Sequence, residues 1–120
     1  MEESILKTKS YLFAVRIVGM VKFLQSEKKE YVLSKQCLNS GTAIGALIRE
    51  ARFAQSRRDF ANKMSIALKE ANETDFWLSL LHDTDYLEEK LFKSIIYDCN
   101  EIISMLVSSV KTSKKGKKGK

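Results

Sequence analysis

The sequence predicts an all-α fold, an antiparallel up-down-up-down four-helix bundle, and three observations carry that prediction. First, 120 residues hold no proline and only five glycines, so the turn punctuation that sheets need at short intervals is missing. Second, apolar residues recur at helical spacing in four successive segments. Third, the breaks between those segments are short, and short connections force neighbouring helices antiparallel. The bundle is expected over residues 1–112, and residues 113–120, all Lys, Gly and Ser, are expected to form a disordered basic tail.

The first helix is expected from about Ser10 to Gln25. Phe13, Ile17, Met20 and Leu24 form one stripe, and Ala14, Val18 and Val21 a second beside it. Leu12, Val15 and Phe23 fall elsewhere on the wheel, so the apolar arc exceeds what a monomeric bundle helix needs, and part of it is expected to meet another subunit.

Glu27 to Glu30 reads as the first turn, followed by a helix from about Glu30 to Gln55 with Leu33, Cys37, Ile44, Ile48 and Ala51 inward. Its middle, Ser40-Gly41-Thr42-Ala43-Ile44-Gly45-Ala46, crowds small residues where each interior glycine costs about 1 kcal/mol relative to alanine. Close approach of a neighbouring helix along Gly41 and Gly45 is the expected compensation; a backbone opened for a ligand is the alternative.

Ser56 and Asp59 make a capping-box pattern that starts the third helix, which Phe60, Met64, Ala67, Ala71, Leu78 and Leu81 carry to Asp83 or Thr84. Asp85 and Glu88 form a weaker cap-like pair before the fourth helix, with Phe92, Ile95, Ile96, Cys99, Ile102, Ile103, Leu106 and Val110. The polar run Lys69 to Thr74 would make a register-fixing hydrogen-bond network if it faced inward.

Charge is unevenly placed. The chain carries 21 Lys and Arg against 15 Asp and Glu, but six of the lysines lie in the last ten residues. Without them the body is neutral, at 15 of each sign. The longest apolar run, Tyr11 to Leu24, is broken by Arg16 and Lys22 and is too short for a membrane span. No signal peptide is legible at the N-terminus, so the cytoplasm is the expected location. Cys37 and Cys99 lie in apolar stripes and read as buried thiols rather than a disulfide or a metal pair.

Catalytic constellations do not assemble. A bundle di-metal site wants Glu-x-x-His on two helices, and the one histidine, His82, has no Glu in that place. Glu50, Glu70 and Glu73 have no completing partners. A bundle ribonuclease of the HEPN type needs an arginine about one turn before its histidine, where this chain has Phe76, Trp77 and Leu78. No enzyme, cofactor or metal is expected. The second-to-third helix corner differs: Arg49, Arg52, Arg57, Arg58 and Lys63 gather within fifteen residues against Glu50 and Asp59. Arginine forks suit phosphate, so this corner and Lys111, Lys114, Lys115, Lys117, Lys118 and Lys120 are the expected nucleic-acid contacts. A solvated, partly salt-bridged helix end is the alternative. Phe76 and Trp77 read as core or interface anchors rather than a base-stacking platform.

Several stretches resemble a known family: Phe13 to Val18, Leu33 to Leu38, Ser40 to Ala51, and most specifically Ser65-Ile66-Ala67-Leu68-Lys69-Glu70-Ala71-Asn72-Glu73-Thr74 with Trp77-Leu78. Together they resemble the bacterial four-helix-bundle family encoded by intervening sequences in 23S rRNA genes, which includes the accessory protein of diversity-generating retroelements. Leu47 departs from the asparagine common there. The resemblance implies an antiparallel bundle that assembles as a homo-oligomer, a five-fold ring in related structures. It also implies nucleic-acid association for at least the retroelement branch, where the bundle partners a reverse transcriptase, and it does not imply catalysis. Phe13, Ile17, Gly41, Gly45 and Trp77 are the residues expected at a subunit contact. The expected function is thus a non-catalytic, oligomeric nucleic-acid-binding bundle; the alternative is a structural or protein-interaction bundle.

Overall fold

In the computed structural model the backbone is described for residues 2–118 and the side chains for residues 4–113. Four helices, α1 (Glu2–Glu27), α2 (Leu33–Ala51), α3 (Arg57–Asp83) and α4 (Glu89–Lys118), are joined by three connections of five residues each. α1 packs on α2, α2 on α3, α3 on α4, and α4 back on α1 over the weakest seam, so the helices occupy a square in chain order. The described residues contain no strand. The expected tail, 113–120, falls where the described side chains end.

Burial follows an alternating three- and four-residue spacing. Leu6, Ser10, Phe13, Ile17, Met20 and Leu24 line the inside of α1, and Met64, Ala67, Ala71, Thr74, Leu78 and Leu81 that of α3. Such spacing aligns long helices at a shallow angle, so one continuous seam is buried along the bundle. The chain is accordingly a rod, 53 × 22 × 21 Å.

α1 begins eight residues before its expected start, at Glu2 rather than Ser10. Leu6, seven residues before Phe13, extends the inner stripe and is 2% exposed. α2 is shorter than expected at both ends. The Glu30 carboxylate accepts the backbone N–H groups of Val32 at 3.1 Å, Leu33 at 2.8 Å and Ser34 at 2.6 Å. It thereby satisfies the donors a helix start leaves orphaned and sets the start of α2 at Leu33. Burial works to raise the pKa of this carboxyl, but the three N–H bonds win and hold it below its ordinary value.

Ser56 caps α3 as expected, its Oγ accepting from Asp59 N at 3.0 Å. The Asp59 carboxylate reaches back to Gln55 N, at 3.2 Å, instead of to Ser56. Asp85 does not cap α4. It takes the left-handed backbone conformation, φ 71°, with its N–H donating to His82 O and the Tyr86 N–H to Leu81 O. That is the Schellman stop of α3, filled by aspartate where glycine is usual. Lys29, φ 54°, takes the equivalent backbone conformation after α1.

The small residues of α2 do what their spacing suggests, with a partner inside the same chain. A Cβ at Gly41 would lie 2.9 Å from Ile17 Cγ1, and one at Gly45 would lie 3.4 Å from Ser10 O, so α1 lies against this strip. Phe13 and Ile17, at 2% and 0% exposure, are consumed in the core and offer no surface to a second copy. This corrects the subunit role expected of Phe13, Ile17 and Gly41: α1 turns its longest stripe inward, as the bundle core requires. Gly45 faces Ser10 of the same chain, and Trp77 is half-buried with its ring edge-on to Phe76 at 5.0 Å. The surplus apolar face of α1 is instead Ile5, Leu12, Val15, Val18 and Phe23, each 38–56% exposed.

The polar run on α3 does not turn inward. Lys69, Asn72 and Glu73 are exposed, and of its polar side chains only Thr74 reaches the core. Its hydroxyl lies 2.9 Å from that of Ser40 on α2 and bonds to Glu70 O at 2.8 Å.

Candidate nucleic-acid interface

An even number of antiparallel helices brings the start of α1, the α2–α3 turn and the end of α4 to one end of the rod. Ser113 of α4 lines a groove with Ser56, Arg57, Arg58, Asn62 and Ser65, which places the lysine-rich segment beside the start of α3. Arg49, Arg52, Arg57, Arg58 and Lys111 are all exposed at this end. The side chains of Lys114, Lys115, Lys117, Lys118 and Lys120 lie outside the described residues.

The chain has five arginines, and four of them are in this cluster. Arg16, the fifth, is bonded to Asp98 of α4 at 2.8 Å. Lys9 pairs similarly with Glu101 at 2.9 Å, so these two cations of α1 serve the α1–α4 seam. Lys63 is also spent within the chain, 3.0 Å from Glu50, which ties α3 to α2. Arg49 lies over the ring of Tyr11, 5.7 Å from its centroid, a cation–π contact that leaves part of the guanidinium free for other partners. Among the described residues no carboxylate pairs with Arg52, Arg57 or Arg58. Those three guanidiniums are therefore free to fork onto an anion.

Sequence reasoning passed over one residue at this corner. Phe53, directly after Arg52, is 81% exposed. It lies between two helices where no periodicity calls attention to it; the available signal was a large aromatic among arginines.

The remaining reactive groups are occupied. Burial pushes both the Cys37 and the Cys99 thiol up to about 12, far from a reactive thiolate. The Cys99 Sγ–H donates to Ala71 O at 3.5 Å. At the other end of the rod, His82 Nε2 is 2.7 Å from Glu89 Oε1 and Nδ1 is 3.1 Å from Asp83 Oδ1, with the ring stacked on Phe92 at 4.1 Å. The bond to Glu89 chiefly raises the pKa of this imidazole above its ordinary value; partial desolvation opposes it and the Asp83 bond adds to it. Among the described residues no three His, Cys, Asp or Glu side chains gather to hold a metal ion. No described helix is long and apolar enough to cross a membrane.

Fold and site together define an antiparallel four-helix bundle whose free arginines collect at one end. The chain belongs to the 23S rRNA-intervening sequence protein family, whose family model matches residues 2–108. Among solved structures it is similar to a protein of unknown function from the S23 ribosomal protein family of Bacteroides thetaiotaomicron VPI-5482. The two share 56% sequence identity and a TM-score of 0.91, over 92% of this chain and 99% of that one. No curated protein matches the sequence.

Proposed function

We propose that the chain is a non-catalytic, homo-oligomeric accessory protein that binds RNA or DNA electrostatically through the α2–α3 end of its bundle and the adjoining lysine-rich segment. One observation carries this reading: Arg52, Arg57 and Arg58 are exposed together and unpaired with any described carboxylate, whereas Arg16, Lys9 and Lys63 are all bridged. Phosphate contacts of this kind fix position without reading sequence. The exposed Leu12, Val15 and Phe23 support assembly, because they give α1 more apolar surface than one bundle core buries. A ring of copies, the five-fold form that the family resemblance implies, multiplies weak contacts through effective concentration.

The test is salt-dependent binding of mixed-sequence RNA and DNA by the full chain and by residues 1–110. Each neutralised phosphate adds about 0.9 to the log–log slope on duplex DNA, so six lysines steepen it by about 5 per engaged segment. Binding retained by the shorter chain and lost with Arg57→Ala and Arg58→Ala places the contact on the bundle. If neither chain binds at low salt, the nucleic-acid reading fails and the protein-interaction alternative stands.

A further inference from the structure

We propose that Phe53 is a base-stacking platform that directs the arginine-bearing end toward single-stranded nucleic acid. The inference rests on the phosphate-binding reading above and adds to it the form of nucleic acid preferred. Phe53 is the most exposed large hydrophobic residue described, at 81%, in the turn Arg52-Phe53-Ala54-Gln55-Ser56. That turn is not loose. The Phe53 N–H donates to Glu50 O at 3.0 Å, and the Ala54 N–H to Ala51 O at 3.1 Å, which continues the end of α2 and fixes where the ring emerges. Arg52 precedes the ring, and Arg57 and Arg58 open the next helix.

A protein-docking anchor is the competing explanation for an exposed phenylalanine. Such anchors work within a patch that excludes water around them. Phe53 has no second large apolar residue in its turn: its neighbours are Arg52, Ala54, Gln55, Ser56 and two more arginines. A base needs less. It stacks on the face of one ring while cations hold the phosphates on either side, the arrangement by which sequence-tolerant single-strand binders work. In a duplex the bases are already stacked on each other and no face is free for the ring. The arginines therefore serve duplex and single strand alike, while Phe53 serves only the strand. Tyr11, the aromatic beside Arg49, is 56% exposed but already has a guanidinium over its ring.

Fluorescence anisotropy tests this with the full chain and three labelled probes: a mixed-sequence DNA strand of about 16 nucleotides, the duplex of that sequence, and the same strand carrying abasic sugars. Phe53→Ala is expected to weaken binding to the ordinary strand about tenfold, the loss of one stacked base. Binding to the duplex and to the abasic strand stays at the wild-type level, and Phe53→Trp keeps the strand preference. The salt slope is unchanged by Phe53→Ala and falls in Arg57→Ala, because only arginine displaces counterions. Equal strand binding by Phe53→Ala and wild type overturns the proposal, as does an equal loss on the abasic strand. A change in assembly mass on Phe53→Ala also overturns it, by making Phe53 a protein contact. Wild type that binds none of the three probes refutes the underlying phosphate reading instead.

Discussion

The tightest steric claim in the fold is the contact of Gly41 with Ile17, and Gly41→Ala tests it with a sign worked out in advance. At an unobstructed interior helical site, Gly→Ala stabilises by about 1 kcal/mol. At Gly41 the new methyl would sit 2.9 Å from Ile17 Cγ1, 3.0 Å from Cγ2 and 3.3 Å from Cδ1. The first two atoms hang from the branch point of a fully buried, χ1-restricted side chain, so relief requires α1 itself to shift. Overpacking of that kind costs about 1–3 kcal/mol. Subtracting the propensity gain leaves a net loss of about 1 kcal/mol, within a range from zero to about 2. Gly45→Ala is the internal control: its methyl would meet Ser10 O at 3.4 Å, ordinary contact, so it keeps most of the propensity gain. The two variants should therefore differ by about 2 kcal/mol in opposite directions from wild type. Urea unfolding followed by circular dichroism reads this, at one protein concentration so that the comparison is independent of oligomeric state. In the Gly41→Ala background, Ile17→Ala should cost less than the roughly 2–5 kcal/mol expected alone, since the methyl fills part of the cavity. Gly41→Ala as stable as Gly45→Ala would refute the close approach of α1 to α2.

The other predictions address assembly and the helix ends. Leu12→Lys with Val15→Lys should leave the protomer folded, both sites being more than half exposed, and lower the mass in analytical ultracentrifugation toward a monomer; a wild type already monomeric at micromolar concentration removes the assembly reading. Glu30→Ala should cost about 1–2 kcal/mol at neutral pH through loss of the cap on α2. Because the folded carboxyl lies below its ordinary value of 4.5, that contribution is complete above 4.5 and disappears as pH falls through the folded value. Denaturation curves of wild type and variant should therefore converge in acid, and a gap that persists there contradicts the capping role. His82 has the opposite sign. Its folded pKa lies above 6.5, so the α3–α4 clasp is fully formed below that pH and is lost as pH rises through the folded value. As the only histidine, it gives a single imidazole titration by NMR, with a midpoint above 6.5 that Glu89→Gln lowers; a wild-type midpoint at or below 6.5 removes the clasp.

What could be read from the chain, and what could not, divides along a physical line. Periodicity fixed the number, order and inner stripes of the helices, because burial of Phe13, Ile17, Met20 and Leu24 is a property of one helix against an apolar interior. The ends resisted, because they depend on single bonds that have no period. Glu30 stops α2 from starting earlier by folding its own carboxylate over three N–H groups, a cap outside the usual Ser, Thr, Asp and Asn set. Asp85 and Lys29 occupy left-handed positions that glycine would have announced.

Phe13 and Ile17 lie inside the bundle for a related reason. Counting apolar residues around α1 shows that one helix has more than a core can use, but the count cannot say which arc the core takes. α2 decides that by presenting its glycines, and Ile17 fills the slot at Gly41. What is left over, Leu12, Val15 and Phe23, is then the outward face by subtraction. The cationic end follows from topology in the same way. Arginines at the α2–α3 turn and lysines at the end of α4 are separated by more than fifty residues, yet an even helix count returns both to one end. Inserting a fifth helix before the lysines would move them to the far end without changing a single charge. The convergence is thus a property of the fold, and the composition alone does not contain it.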